Sequence, residues 1–227
     1  MIVKFCLLFL LPLTALASES TLVLWYVVNE PGFEPYRVRY LISDDFLRSD
    51  DGQAGDDFVL LSRKEMKVYN IVHDTESILE IKGGANLPKT PASFSADETV
   101  QIAKDAPAIA GKSAKEYQLT VDKKACFRAM VLPGLYMDAA KAFQQFAVVL
   151  ATQQFRSLGH TPDDMLSNCF IARAIYMAGN HSKTGLPVIE WDDEGFSRQL
   201  VDYSEETIPA ELFDLPEKYS RYTPGGQ

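Results

Sequence analysis

Residues 21–28 read Thr21-Leu-Val-Leu-Trp-Tyr-Val-Val28, a run of β-branched, aliphatic and aromatic side chains. The run lacks the three- to four-residue apolar spacing of an amphipathic helix. It also lacks the strict alternation of a strand with one solvated face. The sequence therefore predicts a β-strand that is buried on both faces.

Further strands are predicted on both sides of a central helical region. Side chains in residues 36–42 alternate between the two faces of a strand, with Tyr36, Val38, Tyr40 and Ile42 on one face. Short strand-like runs separated by turn residues continue to residue 81, which is typical of successive hairpins. Residues 83–98 are rich in Gly, Pro, Ser and Ala, which predicts a linker or loop. The remaining predicted strands are residues 46–48, 58–63, 68–72, 77–81, 117–121, 126–131, 187–191 and 196–203, the last two joined by a turn at residues 192–195.

The hydrophobic period changes after Pro133-Gly134. Apolar residues then recur at three- and four-residue steps from Leu135 to Phe155, which predicts one long helix that ends at Leu158-Gly159. A second helix is predicted from Thr161, with Pro162 at its first position and Asp164 three residues after the cap, to Gly179. The order of strands, helices and strands predicts an α+β fold: a curved antiparallel sheet with helices covering its concave face.

The segment from Met1 to Ala17 is typical of a secretory signal peptide. Lys4 precedes an apolar run, and Ala15-Leu-Ala17 offers small residues at a cleavage site. The alternative is a membrane anchor, but twelve apolar helical residues reach roughly 18 Å, against about 30 Å of hydrocarbon. We therefore expect cleavage after Ala17, a periplasmic location, and one mature domain spanning residues 18–227.

Cys126 and Cys169 remain in the predicted mature chain, since Cys6 leaves with the signal peptide. In an oxidising compartment two cysteines predict one disulfide. The alternatives are two free buried thiols or a reactive thiol, although the chain contains no Cys-x-x-Cys motif.

The formal net charge of −9 argues against binding to nucleic acid or to anionic lipid surfaces. The predicted mature chain contains no second apolar segment of membrane-spanning length. His73, His160 and His181 show no metal-ligand spacing, and we expect each of them at the surface. The sequence contains none of the common hydrolase, phosphate-loop or dinucleotide motifs, so we expect no catalytic residue, metal or cofactor.

An acidic cluster lies in and around a predicted hairpin tip. Clustered carboxylates are potential Ca²⁺ ligands, but their spacing does not fit a Ca²⁺-binding EF-hand loop. We expect a solvated hairpin tip and keep a calcium site as the alternative. The residues of this cluster are Asp44, Asp45, Asp50, Asp51, Asp56 and Asp57.

The chain carries a large set of aromatic residues whose side chains suit either of two interiors. They predict an ordinary filled core or, alternatively, an apolar cavity for a lipid or acyl chain between sheet and helix. The residues of this set are Trp25, Tyr26, Tyr36, Tyr40, Phe46, Phe143, Phe146 and Phe155.

Two parts of the chain resemble the periplasmic lipoprotein-carrier (LolA-like) superfamily. One is the closing segment, Gly185-Leu-Pro-Val-Ile-Glu-Trp-Asp-Asp-Glu-Gly195 with Leu212-Phe-Asp-Leu-Pro-Glu-Lys-Tyr219. The other comprises Tyr40-Leu-Ile-Ser-Asp-Asp-Phe-Leu-Arg-Ser-Asp50, Phe58-Val-Leu-Leu-Ser-Arg63 and Val68-Tyr-Asn-Ile71, similar to uncharacterised secreted proteins of that superfamily. The resemblance implies an incomplete β-barrel around a hydrophobic cavity, with a helical insertion around residues 135–179.

The resemblance implies a non-enzymatic periplasmic protein that binds lipid, acyl chains or lipoprotein. It assigns no individual ligand-binding residue. The alternative is a structural or protein-interaction module of the cell envelope with a filled core and no small-molecule ligand. A hydrolase or thiol enzyme with scattered catalytic residues is the third possibility.

The signal-peptide prediction can be checked by the mass of the secreted protein. When the full chain is expressed in a Gram-negative host, the periplasmic product is expected to begin at Ser18. Replacing Ala17 with a large charged residue should block cleavage and retain the longer product. A periplasmic product that still carries Met1 would contradict the prediction.

Overall fold

The computed structural model describes residues 18–53, 55–104, 106, 108–162 and 166–225. The predicted signal peptide lies outside the described residues. Within these ranges, twelve strands form one sheet: β1 (Ser18–Asn29), β2 (Tyr36–Ile42), β3 (Phe46–Asp50), β4 (Phe58–Ser62), β5 (Lys67–Val72), β6 (Ser77–Lys82), β7 (Ala96–Ile102), β8 (Lys115–Val121), β9 (Lys124–Leu132), β10 (Leu186–Asp192), β11 (Ser197–Pro209) and β12 (Ser220–Tyr222).

The sheet is open, and its strand order is β12-β6-β5-β4-β3-β2-β1-β11-β10-β9-β8-β7. All neighbouring strands are antiparallel except β12, which runs parallel to β6. The predicted series of hairpins is confirmed, since β2 to β6 pair in chain order. Because β1 pairs with β2 on one side and β11 on the other, it joins the N-terminal and C-terminal halves of the sheet.

Among the described residues, two α-helices and several shorter helical turns lie between β9 and β10. Helix α1 (Met137–Ser157) confirms the predicted long helix, and a 3₁₀ turn (Leu158–His160) follows it. Helix α2 (Asn168–Ile171) continues into one π-helical turn (Ala172–Tyr176). The α+β class with a largely antiparallel sheet is therefore confirmed.

The predicted start of the second helix is wrong. The Thr161 hydroxyl donates a hydrogen bond of 3.0 Å to the Ser157 carbonyl, so it closes the preceding turn. The side chain of Ser167 is the cap instead, accepting a bond of 3.0 Å from the Phe170 backbone amide. Asp164, the proposed partner in the cap, lies outside the described residues.

The predicted loop at residues 83–98 is wrong at its C-terminal end, where β7 begins at Ala96. Strand β7 lies at the edge of the sheet, and almost all of its residues are exposed. Its sequence is therefore mostly polar and resembles that of a loop. Strand β12 was also not predicted, because its three residues are too few to show the two-residue alternation of a strand.

The central strand β1 is covered on both faces, as its composition predicts. Helix α1 packs on one face, and the segment at residues 210–219 packs on the other. The α1 side contains the buried residues Leu24, Tyr26, Tyr40, Ile42, Leu47, Leu61, Val68, Ala139, Ala142, Phe143, Val149 and Leu186. The opposite side contains Val23, Leu41, Phe58, Leu60, Tyr69, Ile71, Ile78, Ile208 and Phe213.

A buried arginine fixes the first turn of α1 to the sheet. Arg63, next to the end of β4, donates two bonds of 2.6 Å to the carboxylate of Asp138. It also donates to the Ser43 carbonyl at 2.7 Å and to the Gln145 side chain at 3.0 Å. Arg63 lowers the pKa of Asp138. The carboxylate of Asp138 lies in the first turn of α1, where the positive end of the helix dipole also stabilises its negative charge.

The predicted disulfide is present between Cys126 on β9 and Cys169 on α2, with Cα atoms 5.3 Å apart. Both residues belong to a third apolar cluster around Tyr117, Leu119 and Phe127. Within this structure neither cysteine is available as a thiol nucleophile. The bridge ties the short helix α2 to the sheet.

Removal of the bridge should destabilise the protein. In the chain-entropy model, the Cys126→Ala/Cys169→Ala variant should lose about 4 kcal/mol of unfolding free energy, measured by urea denaturation. Dithiothreitol should lower the midpoint of the parent protein and leave that of the double variant unchanged. A parent midpoint insensitive to reduction would show that the bridge contributes nothing.

Candidate functional site

A cavity of about 330 Å³ lies between helix α1 and the part of the sheet formed by β9, β10 and β11. Its walls are mainly aromatic and aliphatic. The apolar lining consists of Phe127, Phe143, Phe146, Ala147, Leu150 and Phe196. The size falls within the usual range for small-molecule sites, which are mostly apolar with a few placed polar groups.

Helix α1 supplies one wall because its apolar stripe faces the sheet. Phe143, Phe146, Ala147 and Leu150 follow one another at steps of three, one and three residues and all line the cavity. The backbone packs closely against this wall at Gly179, whose φ is +68°. A Cβ atom at Gly179 would lie 2.7 Å from the Cβ of Ala147, so glycine permits this close approach.

Three polar side chains of the lining form one network, which we call the buried charge cluster: Glu190, Arg198 and His181. The register of β10 and β11 places Glu190 directly opposite Arg198. One carboxylate oxygen of Glu190 accepts from the Arg198 guanidinium, and the other accepts from His181 Nε2 at 2.9 Å. These side chains are 7%, 15% and 13% exposed, respectively, so the cluster is largely removed from water.

Aromatic rings surround the guanidinium of Arg198. Its central carbon lies 4.8 Å from the ring centre of Tyr26, 5.2 Å from that of Phe143 and 5.5 Å from that of Tyr40. It also donates a bond of 2.9 Å to the Tyr40 hydroxyl. The three rings meet edge to face, so they hold the arginine in one position.

The environment keeps both members of the charge pair ionised. Burial by itself would raise the pKa of Glu190, but Arg198 and His181 hold that pKa at about 2. Burial would lower the pKa of Arg198, and the Glu190 carboxylate raises it. The pKa of Tyr26 is raised, chiefly by burial, so its hydroxyl stays neutral and donates to the Pro187 carbonyl at 2.6 Å.

A second charged pair borders the cavity. Arg173, in the π-helical turn, forms a salt bridge with the nearly buried carboxylate of Asp192. Its guanidinium carbon lies 5.4 Å from the ring centre of Phe196 and 6.0 Å from that of Phe127. Each arginine of the lining therefore has its own carboxylate.

Ser182 differs from the other polar residues of the lining because its side chain makes no hydrogen bond with any described residue. It is only 2% exposed, and its hydroxyl oxygen has no hydrogen-bond partner among the described residues. The hydroxyl makes no hydrogen bond to His181, the preceding residue in the chain. The Ser182 hydroxyl and the Asn180 Oδ1 atom are thus buried polar atoms without a hydrogen bond among the described residues.

The histidines occupy three different environments. His160 is exposed, as expected. His73 is half-buried, and its Nδ1 lies 2.7 Å from the Tyr219 hydroxyl. His181 lies in the buried charge cluster, so the expectation of a surface histidine is wrong there. Hydrogen bonding to Glu190 offsets the cost of its burial.

The acidic cluster divides into two environments. Asp44, Asp45, Asp51, Asp56 and Asp57 are exposed, whereas Asp50 is buried. Asp50 accepts from Arg39 at 2.8 Å and from Arg48 at 2.7 Å. Burial would raise the pKa of Asp50, but the two arginines lower it. Among the described residues, no group of three or more His, Cys, Asp or Glu residues could hold a metal ion.

The aromatic set contributes to both faces of the sheet and to the surface. Tyr26, Tyr40 and Phe143 surround Arg198, and Phe46 stacks on Phe213 on the opposite face. Phe146 lines the cavity. Tyr36 and Phe155 are exposed. The interior thus contains both a packed core and a cavity.

Sequence reasoning missed the buried charge cluster and Ser182. The predicted hairpin around residues 192–195 brings the two strands together, because residues equally distant from a turn face each other across it. Counted from that turn, Glu190 would face Ser197, whereas the observed register is shifted by one residue and places Glu190 opposite Arg198. No local pattern indicates that the loop carrying His181 and Ser182 reaches the same place.

No protein-family model matches this chain, and no curated protein matches it. Among solved structures, the chain is similar to PNGF-II in two crystal forms, at 10% sequence identity in each. The TM-scores are 0.45 for the C2 form and 0.43 for the P21 form. In both cases 90% of this chain is covered but only 31% of the PNGF-II chain, so the chain spans about a third of these structures.

The helices within the described ranges include none that combines the length and the apolar character needed to cross a membrane.

Replacement of Glu190 tests the electrostatics of the cluster. The Glu190→Gln variant leaves the buried Arg198 without a counter-charge and should lose about 3 kcal/mol of unfolding free energy at neutral pH. Because folding lowers the pKa of Glu190 from 4.5 to about 2, its contribution is complete above pH 4.5. The contribution is lost as the pH falls towards 2, so the difference between variant and parent should shrink over that range.

The exposed turn residue Glu194 provides a matched control. Glu194→Gln should change the unfolding free energy, measured by urea denaturation, by less than about 0.5 kcal/mol at any pH. A Glu190→Gln loss that is the same at pH 4.5 and pH 2 would contradict the assigned ionisation.

Proposed function

We propose that this protein is a non-enzymatic periplasmic binder of acyl chains, carried by a lipid or a lipoprotein. The ligand occupies the cavity between α1 and strands β9 to β11. The observation that carries this proposal is the apolar lining of a cavity of about 330 Å³. Burial of apolar surface contributes about 0.8 kcal/mol for each methylene, so a flexible chain is held without directed chemistry.

The proposed architecture is a LolA-like incomplete barrel whose concave side is covered by α1. The open antiparallel sheet and the packing of α1 on one of its faces support this proposal. A disulfide between β9 and α2 supports an oxidising compartment, since such bridges persist mainly outside the cytosol.

The absence of an assembled reaction centre in this cavity supports a binding role over a catalytic one. Glu190 and Asp192 are each engaged by an arginine, and both cysteines of the described chain form the disulfide. A nucleophile needs a base within hydrogen-bond reach, and Ser182 has none among the described residues.

An envelope interaction module is the second candidate, favoured by the free edge of β7. This edge strand pairs only with β8 among the described strands, and its Val100 and Ile102 are 43% and 66% exposed. Exposed backbone groups on such an edge can pair with a strand of another protein. In this candidate the cavity has no ligand.

A cavity-filling substitution separates the two candidates. Leu150→Trp should fill the cavity from α1 and weaken the binding of a fluorescent long-chain acyl probe at least about tenfold. Gln154→Trp introduces the same side chain at an exposed position of the same helix and should leave the affinity within about twofold. Native mass spectrometry of the periplasmic protein should show a co-purifying lipid in the parent and less in Leu150→Trp.

Absence of both probe binding and co-purifying lipid in the parent protein would refute the acyl-binding proposal and favour the interaction module.

A further inference from the structure

We propose that residues 202–207 of β11, which we call the open edge, accept an extended segment of a different protein as an added β-strand. In that segment apolar and basic side chains alternate. The inference goes beyond the proposed function, because residues 202–207 are not part of the cavity lining. It is carried by the separation of β10 from β11, the exposure of the open edge and the charge along it.

Strands β10 and β11 separate early. They pair over only three residues of each strand, although β11 has thirteen, and the pairing ends at Gln199. Strand β10 cannot continue it in the usual way, because Pro187 has no amide hydrogen and its carbonyl accepts the Tyr26 hydroxyl. Val201 is the extra residue of a β-bulge against β1, and a bulge bends its strand. Beyond this bulge, residues 202–207 pair with β1 alone among the described strands.

The open edge presents backbone donors and acceptors on the side away from β1. The Tyr203 amide donates to the Asp202 carboxylate at 2.9 Å, in an exposed contact that a pairing strand can displace. Alternate residues of an antiparallel strand direct their backbone groups to the same side, so Glu205 and Thr207 also face away from β1. All four of these residues are exposed. Another strand can pair with such an edge.

The two faces of the open edge differ in character. Tyr203 pairs with Leu24 and therefore lies on the face that α1 covers, where its ring centre is 5.7 Å from that of Tyr136. Asp202 and Glu206 lie on the opposite face, because side chains alternate along a strand. A strand paired here would place alternate side chains beside tyrosine rings and beside carboxylates. Alternating apolar and basic residues match these two faces.

The charge of the open edge selects the class of partner. Asp202, Glu205 and Glu206 are exposed, and none of them forms a salt bridge with a described residue. Three carboxylates within five residues attract lysine and arginine side chains and repel a second copy of the same edge. The edge strand β7 carries Asp97 and Glu98, so pairing of β11 with β7 of a second copy is disfavoured as well. The complementary partner is therefore a basic segment of a different protein.

Peptide binding to the purified protein tests the proposal. The probe is a fluorescent heptapeptide of alternating lysine and valine, blocked at both ends, in about 0.1 M salt, which screens charges more than about 10 Å apart. Fluorescence anisotropy should show saturable binding, at least about tenfold tighter than that of the same peptide with glutamate in place of lysine. Absence of saturable binding would overturn the proposal and show that the carboxylates only keep other strands away.

Methylated peptides distinguish strand pairing from attraction between charges. Methylation of the valine amides and methylation of the lysine amides should differ at least about tenfold in their effect on binding, because only one of the two sets faces β11. Equal effects of the two methylations would overturn the proposal.

A charge reversal with a matched control locates the binding site. Asp202→Lys/Glu206→Lys should weaken binding of the lysine–valine peptide at least about tenfold. Glu34→Lys/Asp74→Lys makes the same change in net charge at exposed positions away from the open edge and should keep the affinity within about threefold. Equal losses in both variants would overturn the assignment to this edge.

Amide hydrogen exchange reports the pairing without any substitution. Bound lysine–valine peptide should slow the exchange of the Glu205 and Thr207 amides, and unchanged exchange of both would overturn the proposal. Glu205→Pro removes one of these amides and should bind the peptide at least about fivefold more weakly than Glu205→Ala. The melting temperatures of the two variants should be close, because this amide makes no bond to β1. Equal affinity of the two variants would contradict backbone pairing at Glu205.

Discussion

The pair between Glu190 and Arg198 is the interaction on which the interior of this protein depends. It joins β10 to β11, and the guanidinium then contacts Tyr26 on β1, Tyr40 on β2 and Phe143 on α1. Five elements therefore meet at one side chain. A buried ion pair of this kind often contributes less to the free energy of unfolding than well-packed apolar side chains would. Removing one partner alone is nevertheless strongly destabilising, because it leaves the other charge buried without a counter-charge. The pair consequently specifies one arrangement of the strands and helix around it.

The cavity exists because the structure around it cannot collapse into it. The rings around Arg198 are held by edge-to-face contacts and by hydrogen bonds from the Tyr26 and Arg198 side chains. Arg63 holds the start of α1 through Asp138. Farther along α1, Gly83 comes so close that a Cβ atom there would lie 2.7 Å from the backbone of Val149. With both parts of the helix fixed, the apolar side chains between them cannot move far enough to fill the space.

The sequence predicts the elements with strong periods and misses those that tertiary contacts define. The buried run around Trp25 and the stripe of α1 are long, so their patterns are unambiguous. The disulfide follows from there being only two cysteines after the predicted signal peptide. Strand β7 shows only a short alternation around Val100 and Ile102, and as an edge strand it is stabilised by pairing to β8. The start of α2 was misplaced because Thr161 and Ser167 are both acceptable caps, and only the fold decides between them.

The same distinction applies to the candidate site. The aromatic lining was visible in the composition, yet composition does not distinguish a filled core from a lined cavity, since both need the same side chains. The polar part of the lining can be predicted only when the register of β10 and β11 and the path of the loop at residues 179–182 are both known. That path depends on Gly179, whose positive φ and contact with Ala147 become meaningful only once α1 is in place.

The disulfide links the stability of the fold to the integrity of the cavity. Helix α2 has four residues and the π-helical turn has five, so neither would persist in isolation, because short helices gain too little to offset nucleation. The bridge from Cys169 to Cys126 fixes this segment against β9. Arg173 lies one turn further on, where it contacts Phe127 and Phe196 at the cavity. Reduction would therefore loosen this cavity wall while the long antiparallel strands kept their pairing. This wall of the cavity therefore depends on the bridge between Cys126 and Cys169.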